Sequence, residues 1–192
     1  MRRILISLLA LLCMASCGRR RNAPAQEAAA DSRPRVFLPA IAPSSLSPDE
    51  RRDYLRVHYW DRFDFTDTLF TVRADTLQMV EAYARYIALI SDRPTDGSPI
   101  DSLMRRASSS RKMLDYFSML AEQVLHDPNS PLRNDEFYIP VLQAQLRSPW
   151  YDEYERIAPQ YDLEMAMQNR LGHRANDFRY TLASGATGTL YG

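Results

Sequence analysis

Apolar residues recur every third or fourth position through most of this chain, the period that gathers them on one face of a helix. After Asp75, Leu77, Val80, Ala84 and Ile87 line one stripe, with Tyr83, Tyr86 and Ile90 beside it. A longer series, Ile100, Leu103, Met104 and Ala107 and then Leu114, Phe117, Ala121, Val124 and Leu125, keeps helical spacing across "SSS" at Ser108–Ser110, a weak point in that helix. Phe137, Val141 and Leu142 hold one face across Pro140, so the next helix is expected to kink there. A last helix is expected from Pro149 to about Leu171, bent at Pro159 and ended by Gly172. Stripes at this spacing read as core rather than as the lining of a ligand groove.

Capping signals mark the helix starts. "SPDE" puts Ser47 at the N-cap, Pro48 in the first helical position and Glu50 in the third, a capping box. "SPID" repeats the arrangement with Ser98, Pro99 and Asp101, "SPWYDE" starts a helix at Ser148 and Pro149, and "DTLQ" from Asp75 is a weaker box. In "HDPNSPLRNDEFYIPVL", His126-Asp127-Pro128 ends one helix and Asn134 caps the next. The pattern changes at "ANDFRYTLASGATGTLYG", Ala175 to Gly192, where β-branched and aromatic residues around glycines predict a strand, a turn and the opening of a second strand. The expected fold is mainly α: a helical bundle of about four to six helices with a short C-terminal β-hairpin-like remnant. No repeat that would make a solenoid is found.

The 192 residues suit one domain, and a net charge of zero excludes a global basic field for nucleic acid. The first residues change the picture more. In "MRRILISLLALLCMASCGRRR", Arg2 and Arg3 precede a short apolar run, then Ala15 and Ser16 stand before Cys17. This is the build of a secretory signal, and the small pair before a cysteine resembles the lipobox of bacterial lipoproteins. That resemblance implies a signal peptide at 1–17, lipid on Cys17, and attachment to a membrane of the cell envelope on its periplasmic side or at the outer membrane. Residues 18–45, rich in alanine, proline and charge, read as a flexible tether, within which Val36–Ile41 is an apolar patch that could pack on the domain. The helical domain is expected over 46–173. Cys13 and Cys17 are the only cysteines, so the mature domain has no thiolate and no disulfide.

Candidate chemistry is sparse. His58, His126 and His173 are scattered and fall in no metal-binding frame. Adjacent acids such as Asp135/Glu136 and Asp152/Glu153 do not converge as a glycosidase pair must. No nucleotide loop or nucleophile elbow is present. "YWDRFDFTDT" offers Tyr59, Trp60, Asp61, Asp64 and Asp67 as a binding surface for a sugar face or a cation; the plainer reading plugs the core with the rings and caps turns with the aspartates. No catalytic residue, cofactor or metal is expected.

Three stretches in order, "YWDRFDFTDT", "DPNSPLRNDEFYIPVL" and "GHRANDFRYTLASGATGTLYG", resemble an N-terminal helical domain of unknown function found in bacterial secreted or lipid-anchored proteins of the thioredoxin-like (TlpA-like, peroxiredoxin-like) class. The resemblance implies that 174–192 is the start of an incomplete thioredoxin-like domain. It also implies that the Cys-x-x-Cys of that fold would lie beyond Gly192, so no catalytic residue is transferred. The function it implies is non-catalytic: a membrane-anchored domain that positions or docks a redox domain or its substrate. Its partners would be the membrane, through the lipid, and a thioredoxin-like domain or an envelope protein substrate. The alternative is an independent helical module that binds a peptide or glycan.

Overall fold

Ser47, Asp75, Ser110 and Asn134 each accept, through a side-chain oxygen, the backbone N–H three residues ahead, and each starts a helix. In this computed structural model, which describes residues 34–92, 97–168, 170 and 172–192, the elements in chain order are α1 (Pro48–His58), α2 (Phe70–Arg73), α3 (Thr76–Ser91), α4 (Ser98–Ala107), α5 (Arg111–Ala121), a π turn (Glu122–His126), α6 (Asp135–Arg147), α7 (Ile157–Gln168), β1 (Arg179–Thr181) and β2 (Thr187–Thr189). The fold is therefore mainly α with one antiparallel hairpin at the C-terminal end, as the periodicity predicts. Residues 1–33, and with them Cys13, Cys17, the expected signal and most of the expected tether, lie outside the described residues, as does Leu171. Among the described residues no helix is long and apolar enough to cross a membrane.

The Ser47 box forms in full, Glu50 accepting the Ser47 N–H in return. At Asp75 only half of a box forms, because the Gln78 side chain is used elsewhere: it accepts from Phe37 N–H and donates to Phe37 C=O. That pair fixes the extended segment after Pro34, whose Arg35 pairs with Ala74 in a parallel bridge, and sinks Phe37 into the core. The other apolar residues of that patch, Val36, Leu38 and Ile41, stay exposed.

Four expectations need correction. The buried face of α3 is Met79, Ala82, Tyr83, Tyr86, Ile87 and Ile90, and Leu77 points to solvent; the expected stripe is rotated because the large aromatic side chains take the core. The N-cap of α4 is Gly97 in the left-handed region, with Ser98 already helical. The Ser108–Ser110 weak point is a full break, and each serine has a task there. Ser108 Oγ donates to Met104 C=O, Ser109 Oγ donates to Phe65 C=O, and Ser110 caps α5. The fourth correction concerns α7, which starts at Ile157. Ser148 is the C-cap of α6, and Asp152 and Glu155 exchange amide bonds as a capping box one turn before the helix. Pro159 then falls in the first turn, where its missing N–H removes no bond within the helix.

α6 runs unbroken through Pro140 and packs against α4, α5, α7 and the π turn. Being surrounded, it buries a nearly continuous run from Phe137 to Leu142 rather than a stripe. The loop into it is tied down by Asn134 N–H on Leu125 C=O and by Ser130 Oγ on Val124 C=O. The core centres on aromatic rings: Trp60 stacks on Phe37 with centroids 4.7 Å apart and meets Phe117 edge-on at 5.3 Å, while Phe65 stacks on Phe117.

Candidate functional site

The stretch "YWDRFDFTDT" does not present its rings to solvent. Tyr59 and Trp60 are buried, and the Tyr59 hydroxyl donates to Ala82 C=O. Asp61 pairs with His58 and Arg106, Asp64 accepts from the Thr66 amide and hydroxyl, and Asp67 accepts from Leu69 N–H and pairs with Arg35. The five residues are near in sequence and serve the core and its turns. Cys17 lies outside the described residues. Among the described residues no group of three or more His, Cys, Asp or Glu could hold a metal. His58 stacks on Tyr54, and His126 stacks on Tyr138.

The surface that stands out lies at the other end of the chain. α7 turns Pro159 and Leu163 inward on α6. Its other side carries Ile157, Tyr161 and Met165, in line with Tyr154 one turn earlier, and all four are exposed, Tyr154 at 82% and Tyr161 at 61%. The spacing of three, four and four residues makes one stripe. A helix apolar on both sides reads from sequence as core, which is why this stripe passes as packing; its position on the rim of the bundle leaves half of it uncovered.

A polar clamp holds the start of this region. Arg111 pairs with Glu155, donates to Trp150 C=O and lies over the Tyr151 ring, whose hydroxyl donates to Asp115 at 2.7 Å. Burial, and then the Asp115 carboxylate, raise the Tyr151 pKa, so this hydroxyl stays a donor at neutral pH. At the far end Arg170 grips Glu136 through two bonds of 2.9 and 2.5 Å, linking the residues after α7 to the first turn of α6. The Arg170 hydrogen bond holds the Glu136 pKa below its ordinary value. A depressed carboxyl contributes stability above its unfolded pKa and loses it as pH falls through the folded one. Both side chains are about one-third exposed, so the contribution is modest. Acidification below about pH 4 should therefore loosen residues 170–173 before the core melts. Amide exchange of His173 across pH 3 to 6 checks this, and Glu136→Gln should flatten the profile.

Beyond Gly172, which adopts φ +79°, residues 174–192 close on themselves. β1 and β2 pair antiparallel with Tyr180 opposite Gly188, and the Tyr180 ring lies over that glycine: a Cβ there would stand 2.9 Å from the ring. The turn closes through Gly185 N–H on Leu182 C=O, with Gly185 left-handed. Leu190 N–H reaches Asp177, the Tyr191 hydroxyl donates to Ala175 C=O, and Arg174 lies over the Tyr191 ring. Phe178, Tyr180, Leu182, Leu190 and Tyr191 all remain exposed. This two-stranded hairpin of three-residue strands leaves five large apolar side chains in water.

The family described as Domain of unknown function (DUF5106) matches residues 16–169. Among solved structures, the crystal structure of a thioredoxin-like protein from Bacteroides caccae ATCC 43185 at 1.90 Å resolution is similar, with 40% identity and a TM-score of 0.70. The match covers 81% of this chain and 56% of that one, so this chain spans little more than half of its solved relative. No curated protein matches the chain.

Proposed function

This chain belongs to the DUF5106 domain family, and from that membership we propose that it is a non-catalytic helical domain that docks a thioredoxin-like domain through residues 154–191. The observation that carries the reading is the set of large apolar side chains that the α7 stripe and the hairpin leave exposed. The occupant is argued from the solved relative, which is thioredoxin-like and extends well beyond the part this chain matches. A short two-stranded sheet with free edges suits addition to a larger sheet, and the exposed tyrosines and methionines suit an interface. The rival module that grips a peptide or glycan with aromatic rings gains nothing from "YWDRFDFTDT", because its rings face inward.

Titration calorimetry tests the docking. The purified chain should bind the portion of the Bacteroides caccae relative that it does not match, and Tyr161→Ser combined with Phe178→Ser should weaken that binding at least about tenfold, since each removes a central apolar contact. Absence of saturable heat, or an unchanged affinity in the double variant, contradicts the reading.

The same proposal places the domain at the bacterial cell envelope, tethered by lipid on Cys17. Expression of Cys17→Ala should abolish palmitate incorporation and release the protein from the membrane fraction; persistent labelling contradicts the anchor.

A further inference from the structure

We propose that residues 35–38 form an open strand edge that receives an extended peptide by backbone pairing and seats one of its apolar side chains in the adjoining pocket. The proposal is independent of the docking of residues 154–191. Arg35 N–H donates to Arg73 C=O at 2.8 Å, and Arg35 C=O accepts from Asp75 N–H at 3.3 Å. Phe37 repeats this pattern with the side-chain amide of Gln78, at 3.2 and 2.7 Å, so a glutamine stands where a neighbouring strand's backbone would. Along a strand, the N–H and C=O of successive residues turn to opposite edges. Inward pairing of Arg35 and Phe37 therefore sends those of Val36 and Leu38 outward, and among the described residues neither pair has a hydrogen-bond partner.

The edge is short and held in shape. Phe37, 3% exposed, anchors it in the core. Pro39 biases Leu38 toward the extended conformation that the edge needs. Pro34 has no N–H, and Ala40 N–H donates to Tyr59 C=O, so the open stretch is limited to Val36 and Leu38. Their side chains are 58% and 61% exposed, which puts two apolar groups in water beside the free backbone. A pocket of about 270 Å³ adjoins the edge, lined by Val36, Phe37 and Leu38 and by Phe63 and Phe70. Its charged members are mixed in sign, Arg62 with Asp64 and Asp67, and the two acids are engaged by Thr66 and by Arg35. A neutral apolar side chain suits that lining. The occupant follows from the backbone: outward N–H and C=O pairs at strand spacing are complemented by a second extended chain. Its main chain supplies one bond to each outward group, and the pocket selects the side chain.

A ¹H–¹⁵N spectrum of the chain with the peptide acetyl-Ser-Val-Leu-Val-Ser-amide tests this. The peptide should move the Val36 and Leu38 amide signals saturably and slow their hydrogen exchange. The same peptide methylated on every backbone nitrogen keeps the side chains, lacks the donors and should not bind. Leu38→Pro removes one outward N–H and should weaken binding at least about tenfold, because the carbonyl it meets goes unpaired; its spectrum reports folding in the same experiment. Leu38→Ala keeps the N–H and should retain most of the affinity. If Leu38→Pro does not fold, the methylated peptide decides alone. The proposal is overturned if the methylated peptide binds as well, if a folded Leu38→Pro binds unchanged, or if Leu38→Ala loses as much as Leu38→Pro. It is also overturned if no saturable shift appears up to about 1 mM peptide, where even weak specific contacts register. Shifts confined to residues 154–191 would assign the peptide to the docking surface, and shifts at Val36 and Leu38 on concentrating the chain alone would assign the edge to a second copy. Either result contradicts the proposal.

Discussion

Replacing Gly97 with alanine is expected to cost about 2–4 kcal/mol, well above what an ordinary glycine substitution costs. Two effects add. Gly97 has φ +80°, a left-handed conformation that a Cβ makes unfavourable by about 1–2 kcal/mol. It also lies against α6, where a Cβ would stand 3.0 Å from Glu136 O and 3.0 Å from Pro140 Cγ. Proline at 140 has no N–H for the carbonyl four residues back, so it leaves Glu136 O open on that side, and Gly97 is the residue that approaches it. Backbone oxygen and a proline ring inside a helix cannot step aside, and the overpacking adds about 1–3 kcal/mol, the lower part of which applies to one methyl group. Gly172 is the matched control: φ is +79°, but nothing lies within 4 Å of its would-be Cβ. Gly172→Ala should therefore cost only the conformational part. Urea melts of the two variants decide the matter, and equal losses would mean that the α4–α6 contact is looser than described.

The second large effect is expected at Phe117→Ala, about 3–5 kcal/mol. The ring is fully buried, with Trp60, Phe63 and Phe65 at centroid distances of 5.3, 5.2 and 5.3 Å. It joins α5 to the segment after α1, so its loss opens a cavity between these two parts of the chain. Against a total stability of about 5–15 kcal/mol for a domain, this is about a fifth or more. Phe178→Ala changes the same residue type on the hairpin, at 57% exposure, and should stay within about 0.5 kcal/mol. Thermal melts of the pair separate a ring that holds the fold from one that is free to meet a partner.

Much of this architecture was legible in the sequence, and the failures have local causes. Helices capped by short polar side chains were found where one residue decides the outcome, as at Ser47, Asp75 and Asn134. "SPID" and "SPWYDE" misled because the same letters serve two purposes. Gly97 ahead of the first supplies a left-handed cap that a serine cannot, and Ser148 in the second is already occupied in closing α6. The face of α3 was misjudged because periodicity gives the spacing of a stripe, and only the partners determine which of two neighbouring stripes is buried. The exposed side of α7 was not legible for the same reason: Tyr161 and Met165 carry no mark that distinguishes a contact within the chain from a contact with another protein. The odd ending was legible as a strand, turn and strand. Exposure, which the sequence does not give, leaves Phe178, Tyr180 and Leu182 open to solvent.

The most direct test of the docking claim is hydrogen exchange of the chain alone and with the unmatched portion of the Bacteroides caccae relative. The account predicts new protection confined to residues 154–191, strongest at the edges of β1 and β2 and along the Tyr161 face of α7. Protection that appears elsewhere, or a C-terminal hairpin that exchanges as fast with the partner as without it, would contradict it.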